Sequence, residues 1–261
     1  MTDAIYEEHD GAIWATELAR GPWDPNAQHG GASGAIVMRA LEQLDTGGGD
    51  LQIARVTYEL VRPAPLGELH IQAQIVRPGR RVQLLEATLS TPDGVEVTRA
   101  RALRVARAPV DAGAPTEPAP PAPDSLPITD ASPFGDRMFP GGAVEIRLSK
   151  ASFFDIGPTF AWARLRVAVL AGETPTPLQR LIAAADFPNG VSTALPWDEY
   201  VFINPDLTVY VEREPRGEWI GLDAHMRVVD GGVGVAQAVL YDADGRVGRS
   251  LQSLYIAKRE R

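Results

Sequence analysis

What most constrains this chain is that its second half repeats the plan of its first at a fixed distance. Thr57 and Thr208, Arg62 and Arg213, and the turns Asp93-Gly94 and Asp244-Gly245 all stand 151 positions apart. A constant offset through several turns and strands indicates a tandem duplication, although residue identity between the copies is low. In the first copy, residues 12–18 read as a short strand and a helix runs to about Leu44. Four runs rich in Val, Ile, Leu and Thr follow near 51–62, 67–77, 81–91 and 94–107. Their separators, Pro63-Ala64-Pro65, Pro78-Gly79 and Pro92-Asp93-Gly94, are turn chemistry, the last a strong hairpin signal. In the second copy, 144–148 and 160–169 are strand-like, and 177–185 is helical with proline at its start. Four β runs then lie near 201–213, 218–229, 233–242 and 246–258. The plan is helix plus antiparallel meander, twice, an α+β chain.

The first helix is unusual. From Gly30 onward, Ala35, Ile36, Val37, Met38, Ala40, Leu41 and Leu44 leave almost no polar face, which marks a buried helix. Glycines at 30, 31 and 34 each weaken a helix by about 1 kcal/mol relative to alanine, so something must approach this backbone closely. The candidates are a wrapped sheet, or a ligand resting on free amides at the helix N-terminus. Between the copies, Pro109 to about Asp130 is too dense in proline for a packed sheet and reads as an extended connector. The expected division is therefore 1–108, a linker at 109–130, and 131–261.

A chain of 261 residues that is 44% hydrophobic is long enough for one large or two modest globular domains with proper cores. Without cysteine there is no disulfide, no thiolate metal site and no cysteine nucleophile, and no H-E-x-x-H or similar cluster offers a metal site. The N-terminus is acidic with no apolar signal segment, and no run of about 18 apolar residues occurs, so the expectation is a cytoplasmic protein with no membrane span. A formal charge of −9 opposes nucleic-acid binding. An anionic small ligand needs only a local patch, for which Arg77, Arg80 and Arg81, or Arg99, Arg101, Arg104 and Arg107, are candidates; the alternative is a solvated hairpin face.

A buried helix cradled by an antiparallel meander, present twice across a long linker, resembles the double hotdog fold, with both sheets forming one continuous antiparallel surface. The C-terminal half is similar to that of the acyl-CoA thioesterase II family. That family uses a carboxylate ending the second hotdog helix, a hydroxyl or amide on the next strand and a glutamine on the last strand. The matching positions are Asp186 in A-A-A-D-F, Asn204 in F-I-N-P-D-L and Gln252 in S-L-Q-S-L. Many members carry Thr where Asn204 stands. The likeness is clear over 170–258 and looser in the first half, through H-G-G-A-S-G-A.

The resemblance implies acyl-CoA as substrate, hydrolysis to free acid and CoA, and no cofactor. Thioester hydrolysis needs a water aimed at the carbonyl and a place for the developing oxyanion. Asp186 is the expected base, with Asn204 and Gln252 holding the water through amides that both donate and accept. The absence of a G-x-S-x-G elbow agrees with attack by water. Each of the three also has a plain structural explanation, as a helix-terminal residue, a strand start and an outward strand side chain. The amides of Gly30 and Gly31, at the positive end of the first helix, are candidates to polarise the substrate carbonyl, or else the glycines only permit close packing. His29 is placed to bond locally, contact ligand or act as base. Asp24, Asn26 and His29 also resemble the D-x-N-P-x-H segment of hotdog enoyl hydratases and dehydratases, so hydration is one alternative and acyl-CoA binding without turnover is another. Trp23, Met38, Phe187 and Trp197 are the candidates to receive the acyl tail. Exposed sheet edges predict a homodimer or larger homo-oligomer.

Overall fold

The computed structural model describes residues 3–111, 113, 118–129 and 137–259; the expected linker thus lies partly outside the described residues. The first half supplies β1 (Ala4–His9), β2 (Ala12–Ala15), α1 (Gly30–Glu42), β3 (Leu51–Glu59), β4 (Gly67–Arg77), β5 (Val82–Ser90) and β6 (Glu96–Ala106). The second supplies β7 (Val144–Leu148), β8 (Thr159–Leu165), β9 (Ala168–Leu170), α2 (Pro177–Ala185) and α3 (Pro188–Val191). It continues with β10 (Tyr200–Ile203), β11 (Asp206–Val211), β12 (Trp219–Val229), β13 (Val233–Asp242) and β14 (Gly245–Lys258).

Among the described residues, fourteen strands form one sheet in the order β7-β8-β12-β13-β14-β11-β3-β6-β5-β4-β2-β1-β9, with β10 also paired to β14. Read outward from its centre, this order is the same in both directions: β3 answers β11, β6 answers β14, β5 answers β13, β4 answers β12. The two halves meet where β11 runs antiparallel to β3, with Thr208 opposite Thr57 and their hydroxyls 3.1 Å apart. Those are the residues that the 151-position offset equates, so a local two-fold axis passes between them. This is the double hotdog fold.

Three features differ from the sequence expectations. Residues 4–9 form a strand ahead of the first expected one, joined to β2 through Asp10 and Gly11, both at positive φ. The run at 201–213 is broken in two by Asn204-Pro205, as proline removes a ladder donor. The sheet is also not wholly antiparallel, because β9 pairs parallel to β1. Leu165 ends β8 near one end of the sheet and Ala168 begins β9 at the other, and three residues span at most about 11 Å. The sheet therefore curls until its ends nearly meet, with both helices inside.

There the helices pack antiparallel through α1's small residues. A Cβ on Gly31 would stand 2.6 Å from the Ala183 carbonyl, and one on Gly34 2.8 Å from Ile182 Cγ2. Ile36, Val37, Met38 and Leu41 are fully buried between α2 and the sheet. The glycines thus permit close approach of helix to helix.

Candidate active site

Helix α2 begins with Thr176 as N-cap, its hydroxyl accepting from Gln179 N, and Pro177 in the first turn. It ends at Asp186, which takes the C-cap position and is buried. Because α1 and α2 are antiparallel, Asp186 lies against the start of α1, whose N-cap is His29.

The two oxygens of Asp186 have different surroundings. Oδ1 accepts from Asn204 Nδ2 at 2.8 Å and from Gln252 Nε2 at 2.7 Å. Oδ2 is 3.0 Å from His29 Nδ1 and 2.7 Å from where a Gly30 Cβ would stand. The second hydrogens of the amides are also engaged, Asn204 Nδ2 with the Asp206 carbonyl at 3.4 Å and Gln252 Nε2 with the Asp186 carbonyl at 3.3 Å. An amide NH2 carries two hydrogens, so neither group has one left for a water. Asp186, Asn204 and Gln252 meet, but as a clamp on the carboxylate rather than the water cage expected from sequence.

A residue that the sequence reading passed over orients this clamp. Asn189, buried in α3, donates from Nδ2 to Asn204 Oδ1 at 3.3 Å and from its backbone N to Gln252 Oε1 at 3.4 Å. With both amide oxygens turned to Asn189, both NH2 groups turn to Asp186. Pro188-Asn189-Gly190 reads as a plain turn, and only its nearness to Asp186 in sequence hinted at this role.

At the α1 end, His29 Nδ1 accepts from Gly31 N at 3.0 Å. Gly31 is buried and its amide is used here, which leaves Gly30 N–H; among the described residues that group has no hydrogen-bond partner. His29 stacks on Phe139 at 4.8 Å and lies 4.9 Å from Phe187, which fixes the imidazole plane. Tyr58, whose hydroxyl pKa burial raises well above its ordinary value, donates to the Gly34 carbonyl at 3.2 Å and ties α1 to β3.

A cleft of about 530 Å³ opens onto this cluster, and His29, Gly30, Asp186, Asn189 and Asn204 line its inner end. Gln252 is buried behind the carboxylate. Leu60, Val61, Ile203 and Trp23 supply apolar wall, and Arg62 stands at the solvent end. Of the expected tail-binding residues only Trp23 lines the cleft. Met38 and Phe187 are packed in the core, and Trp197 lies behind Trp23, stacked face to face at 4.5 Å. The expected arginine patch on β6 is neutralised or buried. Arg99 pairs with Glu96 at 2.7 Å, Arg101 with Glu86 at 3.0 Å and Arg107 with Asp50 at 2.6 Å, while Arg104 donates to the Leu41 carbonyl at 2.8 Å. No group of acidic or histidine side chains among the described residues is arranged to hold a metal ion, and no described helix is long and apolar enough to cross a membrane.

Residues 111–256 match the family model of the acyl-CoA thioesterase C-terminal domain, and residues 19–105 match that of the N-terminal domain. Among solved structures, a hot dog-fold protein of unknown function from Alicyclobacillus acidocaldarius is similar at 20% identity and TM-score 0.71, over 98% of this chain and 96% of that one. The TesB protein of Mycobacterium avium subsp. paratuberculosis is similar at 13% identity and TM-score 0.67, over 96% and 95%. The acyl-CoA thioesterase II TesB2 of Mycobacterium marinum is similar at 15% identity and TM-score 0.65, over 94% and 96%. At these identities the likeness is one of fold. No curated protein matches the chain.

Proposed function

We propose that this chain, which belongs to the acyl-CoA thioesterase family through both of its halves, hydrolyses an acyl-CoA thioester with a water held at Asp186 Oδ2. The observation that carries this reading is the asymmetry of the carboxylate: Oδ1 takes two amide hydrogens, while Oδ2 takes neither and lies against His29 and Gly30, which line the cleft with Asp186. A water against Oδ2 gives up one proton to it as its oxygen attacks the thioester carbon. The Gly30 N–H, at the positive end of α1, donates to the oxygen on which charge develops. The C–S bond then breaks, the thiolate leaves with the proton held by Asp186, and the products are free acid and thiol. Asn204, Gln252 and Asn189 act through Asp186 and are positioning residues.

Hydration with His29 as base is the less favoured alternative, since His29 Nδ1 already faces Gly31 N and Asp186. Acyl-CoA binding without turnover is the other. A set of straight-chain acyl-CoAs of graded length, assayed for free thiol, separates these readings: the proposal expects turnover with a preferred length. Tight binding with no thiol released from any member contradicts it. The reading carries with it a cytoplasmic setting and a homo-oligomer, measurable by fractionation and sedimentation.

A further inference from the structure

We propose that Arg62 is the docking residue for a phosphate group at the outer end of the substrate's pantetheine arm, an inference that rests on the thioesterase reading above. The argument starts from the duplication. Arg213, the counterpart of Arg62 in the second half, is clamped by buried Asp242, which accepts from its Nη1 and, at 2.6 Å, from its Nη2. The Gly245 carbonyl accepts from Nη2 as well, at 3.1 Å. The position 151 residues before Asp242 is Thr91, which has no carboxylate, and its hydroxyl is held within its own turn by Asp93 and Val95. Arg62 therefore lacks the clamp. Its guanidinium donates to the Glu96 carbonyl at 2.9 Å and forms no ion pair among the described residues.

Arg62 is also in the right place. It lines the same cleft as Asp186, exposed where the carboxylate is buried, so the cleft runs from a reacting end to a cationic end. Two residues before it, Leu60 Cδ1 stands 3.0 Å from where a Gly30 Cβ would be. From there, two residues of chain reach at most about 7 Å, and the arginine side chain adds its own length. A thioester seated at Gly30 with its thiol arm directed outward brings the end of that arm to Arg62. A guanidinium without a carboxylate partner, in a chain of net charge −9, matches the forked geometry of a phosphate. The same phosphate chemistry occurs on coenzyme A and on the arm of an acyl carrier protein.

The test is Arg62→Ala assayed with one acyl group on three carriers: coenzyme A, a phosphopantetheinylated carrier protein, and pantetheine without phosphate. For the phosphate-bearing thioesters KM should rise about tenfold with kcat little changed, as expected for loss of one charge-assisted contact, while KM for acyl-pantetheine stays near its wild-type value. Whichever phosphate-bearing carrier has the lower wild-type KM identifies the source. Thr91→Asp, which rebuilds the second half's clamp, should give the same selective rise with Arg62 still present. Equal changes on all three carriers, or none on the phosphate-bearing pair, overturn the assignment. Calorimetric binding of coenzyme A itself keeps this separate from the thioesterase reading: Arg62→Ala should weaken it about tenfold even if no thioester is turned over.

Discussion

At the scale of single residues, the site is a carboxylate made one-sided. Asn204 and Gln252 together hold Oδ1, and Asn189 holds both of them, so removing Asn189 should cost activity without touching substrate. For Asn189→Ala we expect kcat to fall several-fold with KM little changed, because Asn204 loses the side-chain partner that sets its direction while Gln252 keeps the backbone N–H that holds it. Gly30 offers a sharper test, since helix propensity and the site pull in opposite directions. Alanine is preferred over glycine by about 1 kcal/mol inside a helix, yet a Cβ here would meet Asp186 Oδ2 at 2.7 Å. Gly30→Ala should lower kcat at temperatures where the variant is fully folded, with a melting temperature at most a few degrees below the parent's; a loss of stability with kcat unchanged would mean that Gly30 is a packing residue only. In single turnover in 18O-water, the label should appear in the product acid and not in Asp186. The residue types were legible in the sequence, as an acid closing an apolar helix, an amide and a glutamine. The engagement of their hydrogens was not, because it depends on which way each amide is turned.

At the scale of elements, α1 and α2 are built to touch. Each ends in a carboxylate that faces the other's first turn. Asp186 faces His29 and Gly30, while Glu42 accepts from Thr176 Oγ1 at 2.8 Å and from Gln179 Nε2 at 3.2 Å. One end is open to a cleft and the other is filled. Gly31→Ala would press a methyl against the Ala183 carbonyl, so urea unfolding should show a loss of about 1–3 kcal/mol, the usual cost of overpacking. No loss would mean that the helices can separate freely. Burial raises the Glu42 pKa, against hydrogen bonds from Thr176 and Gln179 that lower it less. For a carboxyl whose folded pKa is raised, the stabilising contribution is complete below the unfolded pKa of about 4.3 and is lost as pH rises through the folded value. Glu42→Gln should therefore flatten the decline in melting temperature on going from pH 4 toward neutrality; a parallel decline in both proteins would assign it elsewhere. The glycines at 30, 31 and 34 announced a close approach, but not that the approaching body was the duplicate helix.

For the whole molecule, the duplication was the most legible property, since a constant offset needs no knowledge of contacts. It even named Thr57 and Thr208, which face each other across the local axis. What it could not show was closure of the sheet through β1 and β9, because β1 is half polar and β9 has only three residues. The halves have also diverged in their ion pairs. Burial raises the Asp242 pKa, but hydrogen bonds from Arg213, Arg216 N and Asp244 N outweigh it and hold the carboxyl below its usual range. Its contribution is present above the unfolded pKa and disappears as pH falls through the lowered folded value. Asp242→Asn should thus be less stable than the parent at pH 7, with the difference closing on acidification below about pH 4. In the first half the matching arginine is free of such a partner and faces the cleft. The end of α2 at Asp186 thus opens onto a cleft that Arg62 also lines.

The central claim is that Asp186 Oδ2 removes the proton from the attacking water. Its most direct test is the rate of thiol release from the preferred acyl-CoA by Asp186→Asn, which keeps the shape of the side chain and removes its basicity. The account predicts a fall in kcat of at least about a hundredfold, in the range that a positioned general base supplies, with binding of the substrate retained. Thiol release at the parent's rate would contradict it.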